Sequence, residues 1–262
     1  MSNTFVSTTG REFDDPDVVR AYVHRADYPE TLYGRLLTLA AGRSRLVDIG
    51  CGPGKLARRL APHFGEVLAV DSSAAMLALG RRLDAGANPH IRWVNATTED
   101  APLEAAADLV VAGASIHWMD AGRVMPKLAA SLNPDGRMAI IDGDAPARAP
   151  WIEARRAVII DWVGRLGDVW NGAGHQARVS AHEPWFEVEG RETFTARVEQ
   201  TVEDLIAGEH SRATWTRARM GALADQFDAE LRRALAPYAE NGRVTFDVQS
   251  RMAWGRPRTS AR

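Results

Sequence analysis

Apolar positions along the chain fall into two alternating spacings, and the alternation predicts the fold. Short strands are predicted at "RLVDIG" (45–50), "EVLAVD" (66–71), "HIRWVNA" (90–96), "ADLVVAGAS" (107–115) and "RMAIIDGD" (137–144). Near-continuous apolar runs of this length suit strands buried on both faces of a parallel sheet. Segments with an apolar face at helical spacing separate them, at 54–63, 72–86 and 121–136. Ser72 and Ser73 offer two N-caps for the second of these helices. Upstream, Leu32, Leu36, Leu37 and Ala40 share one face of a helix over 16–41. Strands that alternate with helices imply a doubly wound α/β sheet.

After Pro150 the texture changes. A helix bearing Trp151, Trp162 and Trp170 is predicted over 151–170, then a loop over 171–184. Period-two spacing predicts a strand over 191–201; helices follow at 202–208, 211–221 and 223–237, and a last strand at 242–256. These later segments are expected to complete the sheet and to roof its C-terminal edge. The expected organisation is one domain over 1–262, with a cofactor-binding core at 13–144. Residues 145–262 then form a helical cap and substrate region plus the last strands.

Composition narrows the function. The net charge is −2, with acids and bases interspersed and no basic block, so nucleic acid is not an expected partner. Cys51 is the single cysteine, so neither an internal disulfide nor a multi-cysteine zinc site can form. A reducing, cytoplasmic setting is the simplest expectation. The N-terminal stretch has no basic segment followed by an apolar run, so no signal peptide is expected. No apolar stretch approaches membrane-spanning length, and no membrane partner is expected. No H-E-x-x-H and no clustered acid–histidine set calls for a metal.

The first candidate chemistry lies in "VDIGCGPGKL" (47–56), at the carboxyl end of the first strand, where ligands sit in open parallel sheets. Gly50, Gly52 and Gly54 permit left-handed φ values and a close approach of backbone to ligand. A dinucleotide turn reads G-x-G-x-x-G. Here the third glycine comes one residue early, and position 55 is lysine. Asp71, at the end of the second strand, can accept hydrogen bonds from both hydroxyls of a ribose. Asp48, two residues before the first glycine, suits a cationic ligand and opposes a pyrophosphate. A nicotinamide-dependent oxidoreductase therefore fits poorly, and a sulfonium cofactor fits better.

"VDIGCGPGKLARRLA", "VLAVDSSAAML" and "ADLVVAGASIHWMD" resemble the first, second and fourth motifs of the class I S-adenosylmethionine-dependent methyltransferases. "AYVHRADYP" (21–29) is similar to a Y-x-x-x-R-P-x-Y-P segment of the trans-aconitate methyltransferase-like branch, within methyltransferase type 11. The resemblance covers 13–144. It implies a Rossmann-like, doubly wound, seven-stranded sheet with a helical cap from the C-terminal half. It implies S-adenosylmethionine as cofactor and S-adenosylhomocysteine as product. Gly50, Gly52 and Gly54 would pass under the methionine part, with Cys51 as the small residue beneath the cofactor. Asp48 would anchor the turn and the ammonium. Asp71 would hold the ribose, with Ser72 and Met76 beside it. Thr97, Thr98 and Glu99 stand where the branch shows G-D-A-E and meets the adenine. Ala114 and Ser115 would flank the sulfonium, and Tyr22, Arg25 and Tyr28 would close the pocket.

The acceptor is less constrained. Ile116-His117-Trp118 matches a tripeptide of relatives that methylate carboxylates, which tilts the expected acceptor toward a small-molecule carboxylic acid. C- or N-methylation of a secondary metabolite, or a catalytically inactive cofactor-binding protein, are the alternatives. His117 is the candidate base, and a histidine bonded under its loop with Trp118 as packing is the plainer reading. Trp151, Trp185 and His175 are the further pocket candidates, each weighed against a role in the core or in a solvated loop. Arg155 with Arg156 could grip a carboxylate from a helix face. Oligomeric state is left open.

Overall fold

The computed structural model describes residues 11–103, 106–167 and 180–262. The chain divides into two compact units. A core unit holds 28–143, 173–194 and 250–262, and a helical unit holds 1–27, 144–172 and 195–249.

The core unit is built on β1 (Arg45–Ile49), β2 (Glu66–Asp71), β3 (Ile91–Asn95), β4 (Ala107–Gly113) and β5 (Leu132–Asp142). They run parallel in the order β3-β2-β1-β4-β5. The second half of β8 (Arg243–Pro257) lies antiparallel on β5, with Met138 opposite Gly255, and β7 (Phe186–Thr201) pairs with β8. These seven strands match the expected sheet. A short additional strand, β6 (Pro146–Arg148), pairs with the first half of β8 within the helical unit.

Alternation along the strands explains why helices cover both faces. Leu46, Val67, Ala69, Leu109 and Val111 pack with Leu36 of α2 (Glu30–Leu39) and with Leu56 and Leu60 of α3 (Lys55–Leu60). Their neighbours Val47, Ile49, Leu68, Val70 and Val110 face Val124, Met125 and Leu128 of α5 (Ala121–Ser131). All five residues of β1 are buried, the charged Arg45 and Asp48 included, as in a strand covered on both faces.

Trp93 on β3 sets the fit of α4 (Ala74–Asp84) to the sheet. An alanine Cβ at Gly80 would stand 2.6 Å from the Trp93 ring and 3.0 Å from the Pro53 carbonyl oxygen. Glycine-to-alanine within a helix ordinarily stabilises by about 1 kcal/mol. Here the sign should reverse: Gly80→Ala lowers the melting temperature, and Gly80→Ala/Trp93→Leu recovers part of the loss. A rise in melting temperature for the single variant would refute this packing.

The helical unit contains α1 (Pro16–Tyr22), α6 (Ile152–Arg165), α7 (Val202–Glu209), α8 (Arg217–Met220) and α9 (Ala224–Leu235). Trp162, Trp215, Phe227 and Phe246 fill its interior; Trp215 stacks on Phe227 at 5.0 Å between centroids.

The structure corrects several boundaries. The helix expected over 16–41 is two helices, α1 and α2, because Tyr28 precedes Pro29 and a residue before proline disfavours the helical region. The helix expected over 121–136 stops at Ser131, and β5 starts at Leu132 rather than 137; Pro134 cannot donate to a continuing helix. Only Arg217–Met220 of the expected 211–221 helix is α-helical, and β7 starts at Phe186, ahead of 191. Residues 13–27 group with the helical unit rather than with the cofactor-binding core, and 250–262 group with the core. Residues 168–179, which include Trp170 and His175, lie outside the described residues.

Candidate active site

The glycine turn adopts the backbone its composition anticipates. Gly50, Gly52 and Gly54 have φ of 58°, 54° and 73°, a region costly for residues with a Cβ. Gly54 is the N-cap of α3. A Cβ at Gly50 would lie 2.5 Å from Ser115 Cβ, and one at Gly54 would lie 2.5 Å from the Trp93 ring. The turn is thus wedged between the end of β4 on one side and Trp93 on the other.

Two carboxylates hold it from below. Asp48 is 1% exposed, and its Oδ2 accepts the Ala57 amide at 2.9 Å, satisfying a donor in the first turn of α3. Burial raises its pKa to about 8, with the charge of Asp71 adding and the Ala57 hydrogen bond opposing. Asp71 receives Gly52 N–H on Oδ2 at 2.7 Å and Ser73 N–H on Oδ1 at 2.8 Å. It ties the glycine turn to the loop that opens α4. Ser72 is exposed beside it, and its carbonyl accepts Asn95 Nδ2 at 2.8 Å.

The raised pKa of Asp48 has a sign that can be worked out. Between its ordinary value of 3.8 and about 8, the folded chain keeps a proton that the unfolded chain has released. This group's contribution to stability is full below the lower value and is lost as pH rises through the upper one. In Asp48→Asn the amide oxygen still accepts from Ala57, and the loss disappears. The variant's melting temperature should gain on the parent from pH 5 to pH 8.5. A constant difference across that range would disprove the burial argument.

Cys51 donates its amide to the Val70 carbonyl at 2.9 Å and is buried. Burial and the nearby Asp48 and Asp71 push its thiol well above the usual range, which disfavours the thiolate. At the end of β4, Ala114 sits at φ 52°, an uncommon value for a residue with a side chain, and donates its amide to Ile141. Ser115 is buried and donates its hydroxyl to the Ile49 carbonyl at 2.7 Å, bracing the ends of β1 and β4. Tyr28 is buried in the core unit, its hydroxyl 3.0 Å from where a Gly113 Cβ would stand. His117 and Trp118 lie half-buried on the turn Ile116–Trp118, with rings 5.1 Å apart.

The adenine candidates occupy the loop after β3. Thr97 is exposed and bonds Asp100 at 3.0 Å, whereas Thr98 is buried. Glu99 accepts the Asp120 amide at 2.8 Å, linking this loop to the start of α5. Met76 is buried, and its amide bonds the N-cap Ser73.

Several expectations give way. Trp151 is 1% exposed, donates its indole N–H to Thr245 at 3.1 Å and packs edge-on against Phe246: a core residue of the helical unit, not a pocket wall. Trp185 packs on Gly122 of α5, a Cβ there standing 3.3 Å from its ring. Arg25 lies in the helical unit, with Nε and Nη2 bonded at 2.7 Å to Ser211, Nη1 facing Asp144 at 3.4 Å, and the guanidinium over Tyr22. Those bonds make it a structural pin. Arg155 spends its donors on Glu209, at 3.0 and 2.6 Å, rather than presenting them outward. Trp93 was missed; only the paired glycines at 54 and 80, both in contact with its ring, could have signalled it. No group of three or more metal-ligating side chains occurs among the described residues, and no helix among them is long and apolar enough to cross a membrane.

Residues 46–136 match a family described as a methyltransferase domain. A probable S-adenosylmethionine-dependent methyltransferase of Saccharomyces cerevisiae is 36% identical over 44% of this chain and 41% of its own length. A trans-aconitate 2-methyltransferase of Variovorax paradoxus is 36% identical over 42% of this chain and 47% of its own. The matched stretches thus span about half of these relatives or less. Another trans-aconitate 2-methyltransferase, from Methylobacterium nodulans, is 27% identical over 72% of this chain and 73% of its own. Among solved structures, a type II methyltransferase from Anaeromyxobacter dehalogenans shares the fold, with TM-score 0.62 and 21% identity over 91% of this chain and 99% of its own. The sheet order and the glycine turn agree with these matches: residues 46–136 match a methyltransferase domain, and the chain is similar to S-adenosylmethionine-dependent methyltransferases, trans-aconitate 2-methyltransferases among them.

Proposed function

We propose that this chain transfers a methyl group from S-adenosylmethionine to a small-molecule carboxylic acid, forming a methyl ester. The observation that carries this reading is the likeness to the trans-aconitate 2-methyltransferases, with the glycine turn and its carboxylates intact. The residues present fit the cofactor. Three left-handed glycines offer bare backbone, and the turn carries no third glycine at the dinucleotide position. A carboxylate has roughly four acceptor directions, so service to two amides and to a ribose is compatible at Asp71.

When bound, the cofactor supplies an already activated methyl group on a sulfonium. The protein's own task is then alignment: Gly50–Gly54 and Asp71 hold the donor, while Ser115 keeps the ends of β1 and β4 in register. A carboxylate acceptor is already ionised at neutral pH and needs no general base. On this reading His117 shapes the acceptor side without taking a proton.

Incubation with methyl-labelled S-adenosylmethionine and a panel of mono-, di- and tricarboxylic acids tests the reading. A product that releases labelled methanol in alkali is expected. A labelled product stable to alkali would point to C- or N-methylation instead and would sink the carboxylate assignment. Calorimetry should show binding of S-adenosylhomocysteine and none of NAD.

A further inference from the structure

The run "GEHSR" (208–212) ends α7 inside the helical unit, and three successive polar residues in it, Glu209, His210 and Ser211, are at most 3% exposed. Buried polar groups are normally fully paired. His210 is: its two ring nitrogens meet the Trp215 carbonyl at 2.5 Å and Asp228 at 2.7 Å. Ser211 receives Arg25 and donates to Gly208 at 2.6 Å. The charged group around them is not closed in the same way.

Three guanidinium groups and two carboxylates meet there. Glu209 takes two hydrogen bonds from Arg155 on one oxygen, and Asp144 faces Arg25 at 3.4 Å. Each acid thus has its own arginine. Arg212 is the third cation, and it stands 3.7 Å from Glu209 and 4.0 Å from Asp144, both longer than a hydrogen bond. Its Nε is buried and, among the described residues, has no hydrogen-bond partner; nor has Glu209 Oε2, the atom that it faces at 3.7 Å. An arginine has five N–H donors in a planar fork that matches a carboxylate. The ion pairs with Glu209 and Asp144 leave the buried Nε donor without a hydrogen bond, and a buried donor left unsatisfied is costly. The Arg212 side chain is 29% exposed, so a ligand from solvent can reach it.

We infer that Arg212 grips the carboxylate of a small organic acid, at a site whose positive charge is held in place by Arg25, Arg155, Glu209 and Asp144. The bound anion balances the third guanidinium and occupies its unspent donors. Glu209 and Asp144 select against multiply charged inorganic anions, which they repel, in favour of a ligand with a single carboxylate at this point. The same chemistry serves the methyl acceptor itself or a separate regulatory acid.

Titration calorimetry on the full chain with succinate, citrate and benzoate tests this without requiring turnover, so its failure is distinct from failure of the methyl-transfer reading. At least one acid should bind the parent, ten-fold or more tighter than Arg212→Gln, with Arg212→Lys intermediate. The neutral analogue succinamide should not bind. S-adenosylhomocysteine affinity, unchanged in both variants, shows that they fold. A rise in KM with kcat kept in Arg212→Gln assigns the site to the acceptor; unchanged kinetics with lost acid binding assigns it to a regulatory acid. Equal binding of the acids by parent and Arg212→Gln would overturn the proposal. So would binding of sulfate as tight as that of any acid, or no binding at all.

Discussion

Asp71→Ala is expected to bind S-adenosylhomocysteine about 100-fold more weakly than the parent, from the loss of hydrogen bonds to a charged acceptor worth roughly 1.5–3 kcal/mol each. Two losses combine. The ribose would lose its acceptor, and the amides of Gly52 and Ser73 would lose theirs, at 2.7 and 2.8 Å. Asp71→Asn separates the two. Its one amide oxygen can serve only one of the two backbone donors, while its NH2 group faces the other. It should retain the fold and still lose most of the affinity. Titration of both variants, with melting temperature recorded alongside, gives the answer. An affinity within two-fold of the parent in Asp71→Ala would remove Asp71 from the cofactor site.

Gly50→Ala should be the most damaging single methyl group in the core unit's turn. The added Cβ would sit 2.5 Å from Ser115 Cβ and 3.1 Å from Met119 Cε, at a φ of 58°. Left-handed backbone alone costs a residue with a Cβ roughly 1–2 kcal/mol, and the overlap adds to it. Ser115 has little room to retreat, being buried and bonded to Ile49. A loss of about 2–4 kcal/mol is expected, a fall in melting temperature of several degrees for a chain of this size. Ser115→Gly in the same chain should relieve the overlap and not the strain, giving partial recovery. Full stability in the single variant would mean that the turn is not wedged as described.

The sheet was legible because its strands are buried on both faces and announce themselves as apolar runs; β1, β2 and β4 lie within two residues of their expected limits. The glycine turn was legible for a related reason, since positive φ leaves glycine as almost the only comfortable residue. What could not be read was tertiary. Trp151 and Trp185 have the spacing of either a pocket or a core, and only their packing decides between the two. Arg25 matched a motif by position, yet its guanidinium is spent on Ser211, 186 residues away along the chain. Asp48 looked like a partner for a cation; burial makes it a carboxyl that tends to keep its proton and supports α3. The cluster around Arg212 was invisible, because its members come from four separate stretches and no local spacing connects them.

The division between units runs through the middle of β7 and of β8. Chimaeras are therefore constrained. A fragment ending at Gly143 would lack the strand that pairs Met138 through Asp142, and would present β5 as a bare, apolar edge open to aggregation. Transplanting the helical unit onto another scaffold would demand five separate joins, two of them inside strands. Change in this protein's helical portion must therefore come by substitution within the chain, not by exchange of modules.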